Sequence, residues 1–190
     1  MNLNYHLILA SKSPRRQDLL RSLGLDFEIR TREVDESFPG DMEVKQVAQY
    51  LAEKKSAAFG ELAGRELLIT SDTTVVLGSV ILNKPADEKE AIEMLNALSK
   101  EAHEVVTGVC LRSPDKTVTF SETTEVYFRD LTDAEIKHYV MQYRPMDKAG
   151  AYGIQEWIGM VGIEKIIGDY YNVMGLPTHR LYSNLIEHFT

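Results

Sequence analysis

The first change from strand to helix lies in the stretch Ile8-Leu9-Ala10-Ser11-Lys12-Ser13-Pro14-Arg15-Arg16. The apolar run over residues 7–10 predicts a buried strand. Pro14 suits the first position of a helix, because the N–H group that proline lacks would have no partner there. This order of strand and helix is repeated further along the chain, which predicts an α/β fold.

Two arginines, Arg15 and Arg16, occupy the first turn of this predicted helix. Positive side chains oppose the helix dipole at that end, where anions are favoured. The free N–H groups of the turn and the two guanidinium groups would together suit a negatively charged ligand, and arginine matches the geometry of phosphate. The stretch therefore suggests a phosphate site. A solvated helix start with surface arginines is the alternative.

The rest of the chain continues the alternation of helix and strand patterns. Hydrophobic periodicity predicts helices over residues 14–23, 43–59, 87–98, 133–142 and 178–188. Strand patterns cover residues 27–30, 67–69, 103–112, 117–129 and 159–167, with a hairpin over residues 75–82. The length of 190 residues suits one domain, or two small lobes around one cleft. We expect a mixed, curved sheet with flanking helices.

Composition and charge exclude several classes of protein. A formal net charge of -8 argues against broad nucleic-acid binding, which needs a basic face. No apolar run approaches the roughly 20 residues of a membrane span. The N-terminus lacks the basic and apolar regions of a signal peptide, and Cys110 is the only cysteine, so we expect a cytoplasmic protein.

Carboxylates at two places are candidates for acid–base chemistry or metal binding. Asp72 is predicted just past the strand at residues 67–69, where α/β proteins gather ligands, and it could accept a proton or hold a metal. A turn aspartate bonded to its own backbone is the alternative. The acidic cluster of Glu33, Asp35 and Glu36 could help to bind a hard cation, although most acidic runs are simply solvated.

Two lysines and one glutamine complete the candidates. Lys54 and Lys84 could each reach a phosphate as a point charge, but surface lysines are common. Gln155 closes a segment with two glycines and a tyrosine, and its amide offers a donor and an acceptor suited to a base edge. A tight loop is the alternative. The segment does not match the dinucleotide-binding glycine pattern, so a dinucleotide site is rejected.

Six segments together resemble the Maf family of nucleotide pyrophosphatases. These segments are Leu9-Ala10-Ser11-Lys12-Ser13-Pro14-Arg15-Arg16, Ser71-Asp72-Thr73, Asn83-Lys84-Pro85, His103-Glu104-Val105-Val106-Thr107-Gly108-Val109, Asp147-Lys148-Ala149-Gly150-Ala151-Tyr152-Gly153-Ile154-Gln155 and Asn172-Val173-Met174-Gly175-Leu176-Pro177. They occur in family order and span nearly the whole chain. The resemblance implies a single domain over residues 1–190, with a long bent mixed sheet and flanking helices forming two lobes around a cleft, as in the ITPase-like fold.

The resemblance also implies an activity, namely hydrolysis of nucleoside triphosphates to the monophosphate and pyrophosphate with a divalent cation, Mg²⁺ or Mn²⁺. Asp72-Thr73 and the ending Gly153-Ile154-Gln155 resemble the branch that acts on dTTP and UTP. Modified pyrimidine nucleotides stay open as substrates. The branch that acts on 7-methyl-GTP, and a nucleotide-binding regulator of septum formation with little catalysis, are the alternatives. A homodimer is one candidate assembly.

Roles for individual residues follow from the resemblance and from the phosphate chemistry above. Asp72 would be the proton acceptor, and Arg15, Thr73 and Gln155 would set substrate specificity. Phosphates would be bound by Ser11, Arg15, Arg16, Lys54 and Lys84, and the metal by Asp72 and Glu33. The chain departs from the family pattern at Glu156-Trp157, where Gly-Leu is common, and Trp157 is expected to alter the wall of the base pocket.

Overall fold

The computed structural model describes residues 3–190, which form a mixed α/β fold. The strands are β1 (His6–Leu9), β2 (Phe27–Ile29), β3 (Glu66–Leu77), β4 (Val80–Leu82), β5 (Ala102–Arg112), β6 (Thr117–Phe128) and β7 (Ile163–Ile167). The α-helices are α1 (Pro14–Ser22), α2 (Val47–Ala57), α3 (Glu88–Leu98), α4 (Asp133–Tyr143), α5 (Trp157–Gly162), α6 (Tyr170–Met174) and α7 (Thr178–Phe189), and a 3₁₀ helix spans Ala149–Ala151.

The seven strands form one mixed sheet, as predicted. Its order is β2-β1-β3-β5-β6-β7, and β4 pairs with β3 outside this path. β1 lies parallel to both β2 and β3, with Leu9 opposite Ile69 in the last register pair of β1 with β3. β3 runs antiparallel to β4, and β6 runs antiparallel to β7. The predicted α/β class with a mixed sheet is confirmed.

The chain divides into two compact units. The first comprises residues 3–72, Thr107–Glu122 and Gly175–Thr190. Its strand β1 is buried after His6, and Ile8 packs with Leu68 and Phe59. Ser13 caps α1 by accepting a hydrogen bond from the Arg16 N–H, and Pro14 begins the helix as the sequence predicts.

The second unit comprises Thr73–Val106 and Thr123–Met174. Its core is formed by α3, α4 and the strand segments of this unit, and its buried side chains include Leu95, Val126, Tyr139 and Tyr152. Thr132 and Glu135 have the three-residue spacing of a capping box in the sequence, and the structure shows that box complete at the start of α4. Fully buried Tyr139 lies on the inner face of this helix.

Three local predictions are wrong. Asp72 lies inside β3 and not past its end, because β3 continues beyond its pairing with β1 until it pairs with β4 at residues 75–77. The predicted helix over residues 43–59 is shorter, since residues 44–46 form turns ahead of α2. The β pattern over residues 159–167 begins as helix α5, and only its second half is strand β7.

In the described chain no helix combines the length and the apolar character that crossing a membrane would require.

Candidate active site

The turn between β1 and α1 holds two serines that fix its backbone. Ser11 is buried, and its Oγ accepts a hydrogen bond of 3.2 Å from the Ser13 N–H. The Gln17 side chain donates back to the Ser11 carbonyl oxygen at 3.3 Å. The segment therefore presents the start of α1 in a defined conformation, and Arg15 lies partly buried in its first turn.

The Arg16 side chain points into the first unit and binds backbone oxygens. Its Nε donates to the Gly175 carbonyl oxygen at 2.8 Å, and one terminal nitrogen donates to the Ser71 carbonyl oxygen at 2.9 Å. Burial lowers the pKa of the guanidinium, and the charge of Asp72 opposes that shift. Arg16 thus holds the backbone next to Asp72. From the sequence, Arg16 was predicted as a phosphate ligand, and these contacts with carbonyl oxygens were not predicted.

Asp72 is held by Lys55, which the sequence analysis did not single out. Lys55 Nζ lies 2.5 Å from Asp72 Oδ1 and 2.6 Å from Glu36 Oε1. The side chains of Lys55 and Asp72 are only 18% and 13% exposed, so water screens this pair weakly. The lysine ammonium therefore joins two carboxylates from distant parts of the sequence.

The adjacent Lys54 has different partners. Its ammonium group donates to the Ser37 carbonyl oxygen at 2.8 Å and contacts Asp35 Oδ2 at 3.3 Å. Consecutive helical residues point in directions about 100° apart, which explains how two neighbouring lysines reach different groups. Glu33 lies exposed in the segment between β2 and α2. The structure thus brings Lys55 and Glu36 to Asp72. From the sequence, Lys54 was the predicted lysine, and Glu33 was preferred over Glu36 within the same acidic cluster.

A divalent cation is compatible with this donor set. In residues 3–190 no group of three or more potential metal-ligating side chains is found. Mg²⁺, however, is usually held by one or two carboxylates together with substrate phosphates and water, and not by a complete protein cage. Asp72 and Glu36 supply two carboxylates joined by one lysine, and this arrangement fits a cation that arrives with a triphosphate.

The second unit carries three of the predicted residues. Thr73 follows Asp72 directly along β3 and is partly buried, and Lys84 is exposed between β4 and the buried Pro85. Gln155 lies in the loop between the 3₁₀ helix and α5. Its Oε1 atom is buried and has no hydrogen-bond partner in the described part of the chain. A buried acceptor without a partner is costly, so it suits a ligand that brings a donor.

Glu156 and Trp157, which follow Gln155, pack against α4. The Tyr139 hydroxyl donates to Glu156 Oε2, and Trp157 packs edge-on against His138 with ring centroids 5.0 Å apart. Both residues depart from the family pattern in the sequence. The partners on α4 could not be predicted, because they depend on tertiary packing.

Comparison with known proteins identifies the family. The family model described as Maf-like protein matches residues 6–188. A dTTP/UTP pyrophosphatase of Flavobacterium psychrophilum is 48% identical over 97% of this chain and 95% of the relative, and one of Parabacteroides distasonis is 48% identical over 97% and 96%. A HAM1 protein of Coxiella burnetii gives a TM-score of 0.42 at 15% identity, covering 65% of this chain and 73% of that one. The predicted resemblance is confirmed, and the chain belongs to the Maf-like family.

Proposed function

We propose that this protein is a nucleoside triphosphate pyrophosphatase that hydrolyses dTTP and UTP to the monophosphate and pyrophosphate. The observation that carries the proposal is the weakly exposed Asp72 carboxylate, ion-paired to Lys55 in a chain of this family. Relatives at 48% and 47% identity that cover 95–97% of the chain are named dTTP/UTP pyrophosphatases, which supports this substrate class.

Asp72 would act as the proton acceptor. As water attacks the α-phosphorus, its proton passes to the Asp72 carboxylate, the bond to the bridging oxygen breaks, and pyrophosphate leaves. Lys55 would hold the carboxylate in place from 2.5 Å, and its positive charge would stabilise negative charge on the phosphates. No covalent intermediate is required.

The phosphates would be bound by Arg15, Ser11 and the lysines. Arg15 would supply a guanidinium group at the start of α1, where the helix dipole also favours an anion. Lys54 and Lys84 would add point charges. Arg16 would act chiefly through the backbone, because two of its donors already bind the carbonyl oxygens of Ser71 and Gly175.

A divalent cation, Mg²⁺ or Mn²⁺, would polarise the triphosphate and stabilise the leaving pyrophosphate when bound. Asp72 and Glu36 are the carboxylates that would hold it, and Glu33 is a further candidate in the same acidic segment. We further propose a cytoplasmic location, where nucleoside triphosphates are abundant, and the homodimer remains a prediction.

Thr73 and Gln155 would recognise the base. The Gln155 amide can accept from the N3–H group of thymine or uracil and donate to a neighbouring carbonyl oxygen. The Oε1 atom, which is buried without a partner in the described chain, supports this role, since the imide N–H would satisfy it. Arg15 would contribute to specificity through the position of the phosphates.

Pyrophosphate release from a panel of nucleotides tests the proposal. We expect release from dTTP and UTP with Mg²⁺ or Mn²⁺, together with the corresponding monophosphate. A preference for 7-methyl-GTP would keep the chemistry and overturn the base assignment. Binding of nucleotides without any release at saturating metal would contradict the enzymatic function and favour a nucleotide-binding regulator.

A further inference from the structure

The Glu156 carboxylate is held inside the second unit by two partners. Glu156 precedes α5 but makes no side-chain capping bond to that helix. Its Oε2 atom accepts a hydrogen bond from the Tyr139 hydroxyl, and its Oε1 atom lies 3.1 Å from Lys148 Nζ. The Lys148 side chain is 9% exposed and that of Glu156 is 20% exposed. The carboxylate is therefore fixed in direction and weakly screened by water.

Gly153 connects this carboxylate to the Gln155 amide. A Cβ atom on Gly153 would lie 2.9 Å from Glu156 Cδ and 3.2 Å from Gln155 Nε2. Both side-chain ends therefore pack against the same face of Gly153. The Gly153 N–H also donates to the Tyr139 hydroxyl at 3.1 Å, so Tyr139 holds both the backbone and the carboxylate.

The Gln155 amide is oriented with its nitrogen on the glycine side, and its buried oxygen has no partner among residues 3–190. Rotation of the amide by half a turn would exchange the two atoms. The rotated amide would place its oxygen, the negative end of its dipole, on the side of the Glu156 carboxylate. The two negative groups would repel each other, and water would screen that repulsion only weakly because Glu156 is little exposed. The charge of Glu156 therefore favours one of the two amide orientations.

The two orientations suit different bases. Thymine and uracil present an N3–H donor between two carbonyl oxygens, so the observed orientation offers that donor the buried Oε1 acceptor. Cytosine presents N3 as an acceptor beside an amino group, and it would pair with the rotated amide. A site discriminates most strongly when the wrong ligand leaves buried polar groups unpaired.

We propose that Glu156 is a positioning residue that holds the Gln155 amide in the orientation that selects thymine and uracil over cytosine. The inference rests on the proposed function for its substrates. Glu156 would act through the amide of its neighbour Gln155, without touching the nucleotide itself.

The test compares kcat/KM for dTTP and dCTP in the full chain and three variants. Glu156→Gln keeps the shape and the acceptor for Tyr139 but removes the charge, and the dTTP-to-dCTP ratio should fall about tenfold. Glu156→Asp keeps the charge and should stay within about threefold of the wild-type ratio. Glu164→Gln, at an exposed glutamate of β7, is the matched control and should leave the ratio unchanged.

A merely structural role would lower kcat/KM for both nucleotides equally, and an unchanged ratio in Glu156→Gln would overturn the inference. Thermal unfolding checks that each variant is folded. If Glu156→Gln does not fold, Tyr139→Phe replaces it, because loss of the hydroxyl removes one of the two groups that hold the carboxylate and should lower the ratio about threefold.

Measuring the binding of nucleoside monophosphates tests the role of Glu156 separately from the proposed enzymatic function. Calorimetry with dTMP and dCMP needs no turnover, and the wild type should prefer dTMP while Glu156→Gln loses most of that preference. If the wild type releases no pyrophosphate, the proposed function fails, and the dTMP preference still decides the role of Glu156. A wild-type protein that binds dCMP as well as dTMP, or neither of them, would overturn the inference.

Discussion

Lys55 Nζ lies 2.5 Å from Asp72 Oδ1, and this ion pair joins the last turn of α2 to the middle of β3. The same ammonium group reaches Glu36 at 2.6 Å. One positive charge thus offsets the repulsion between two carboxylates. The pair gives Asp72 a fixed direction, which a proton acceptor and a cation ligand both require.

Lys55 should matter more than Lys54. Replacing Lys55 with methionine removes the charge beside Asp72, and we expect kcat for dTTP to fall at least about a hundredfold. Lys54→Met is the comparison variant, because Lys54 contacts the exposed Ser37 segment and would add only a point charge to the phosphates, so kcat should fall by no more than about fivefold. Steady-state pyrophosphate release measures both. A larger loss in Lys54→Met than in Lys55→Met would contradict the assignment.

Arg16 should be needed for folding stability. Arg16→Met leaves the carbonyl oxygens of Ser71 and Gly175 without these donors, and we expect the free energy of unfolding to fall by about 3 kcal/mol. Arg21→Met removes an arginine that is 54% exposed, and it should change stability by less than about 0.5 kcal/mol. Urea unfolding measures both. Equal stability of the two variants would show that Arg16 is not a structural clamp.

His103 should make stability depend on pH. Burial lowers the pKa of this imidazole to about 4, and Tyr152 Oη lies 2.7 Å from its Nε2 atom. Well above pH 6.5 the ring is neutral in both the folded and the unfolded chain. Between pH 6.5 and about 4 only the unfolded chain takes up the proton, so stability falls as the pH falls, by about 3 kcal/mol in total.

The matched variant for this prediction is His103→Gln, which has no group that titrates in this range. Its free energy of unfolding, measured by urea titration at each pH, should decline less steeply between pH 6.5 and 4 than that of the wild type. Parallel curves for the two proteins would refute a buried neutral histidine at this position.

Gly108 should not tolerate a side chain. A Cβ atom there would lie 2.4 Å from the carbonyl carbon and oxygen of Ala48, so β5 lies directly against the backbone of α2. We expect Gly108→Ala to destabilise the protein by about 3 kcal/mol or more, since the clash is with backbone. A Cβ atom on Gly40 meets no atom of the described residues within 4 Å, so Gly40→Ala should be nearly neutral. Thermal unfolding compares them, and similar melting temperatures would contradict this packing.

The sequence predicted the features that short-range interactions determine, such as where a helix begins and how it is capped. Pro14 began the first helix where its missing N–H costs nothing, and Thr132 capped α4 with Glu135 as its spacing indicated. The Maf resemblance, carried by segments along nearly the whole chain, was confirmed by the family model. The helix start and the capping box each depend on residues that are close together in the sequence.

The site was predicted less completely, because its partners are distant in sequence. Asp72 was selected and the hairpin over residues 75–82 was predicted, but the sequence pattern did not reveal that the strand at residues 67–69 continues unbroken through Asp72 into that hairpin. The choice of Lys54 over Lys55 reflects the same limit, since adjacent helical positions differ in partners only after the helix has docked. The sequence does contain two adjacent lysines, Lys54-Lys55, and two adjacent carboxylates, Asp35-Glu36, which could form ion pairs. It does not indicate which lysine and which carboxylate lie beside Asp72.

The most direct test of the account is the turnover and binding of dTTP by Asp72→Asn beside the wild type. Asparagine keeps the shape and an oxygen for Lys55 but is a poor proton acceptor. With saturating Mg²⁺ or Mn²⁺, we predict a fall in kcat of about a thousandfold, while the Kd for dTTP changes by less than about tenfold. Turnover of dTTP by Asp72→Asn at close to the wild-type rate would contradict the assignment of Asp72 as the proton acceptor.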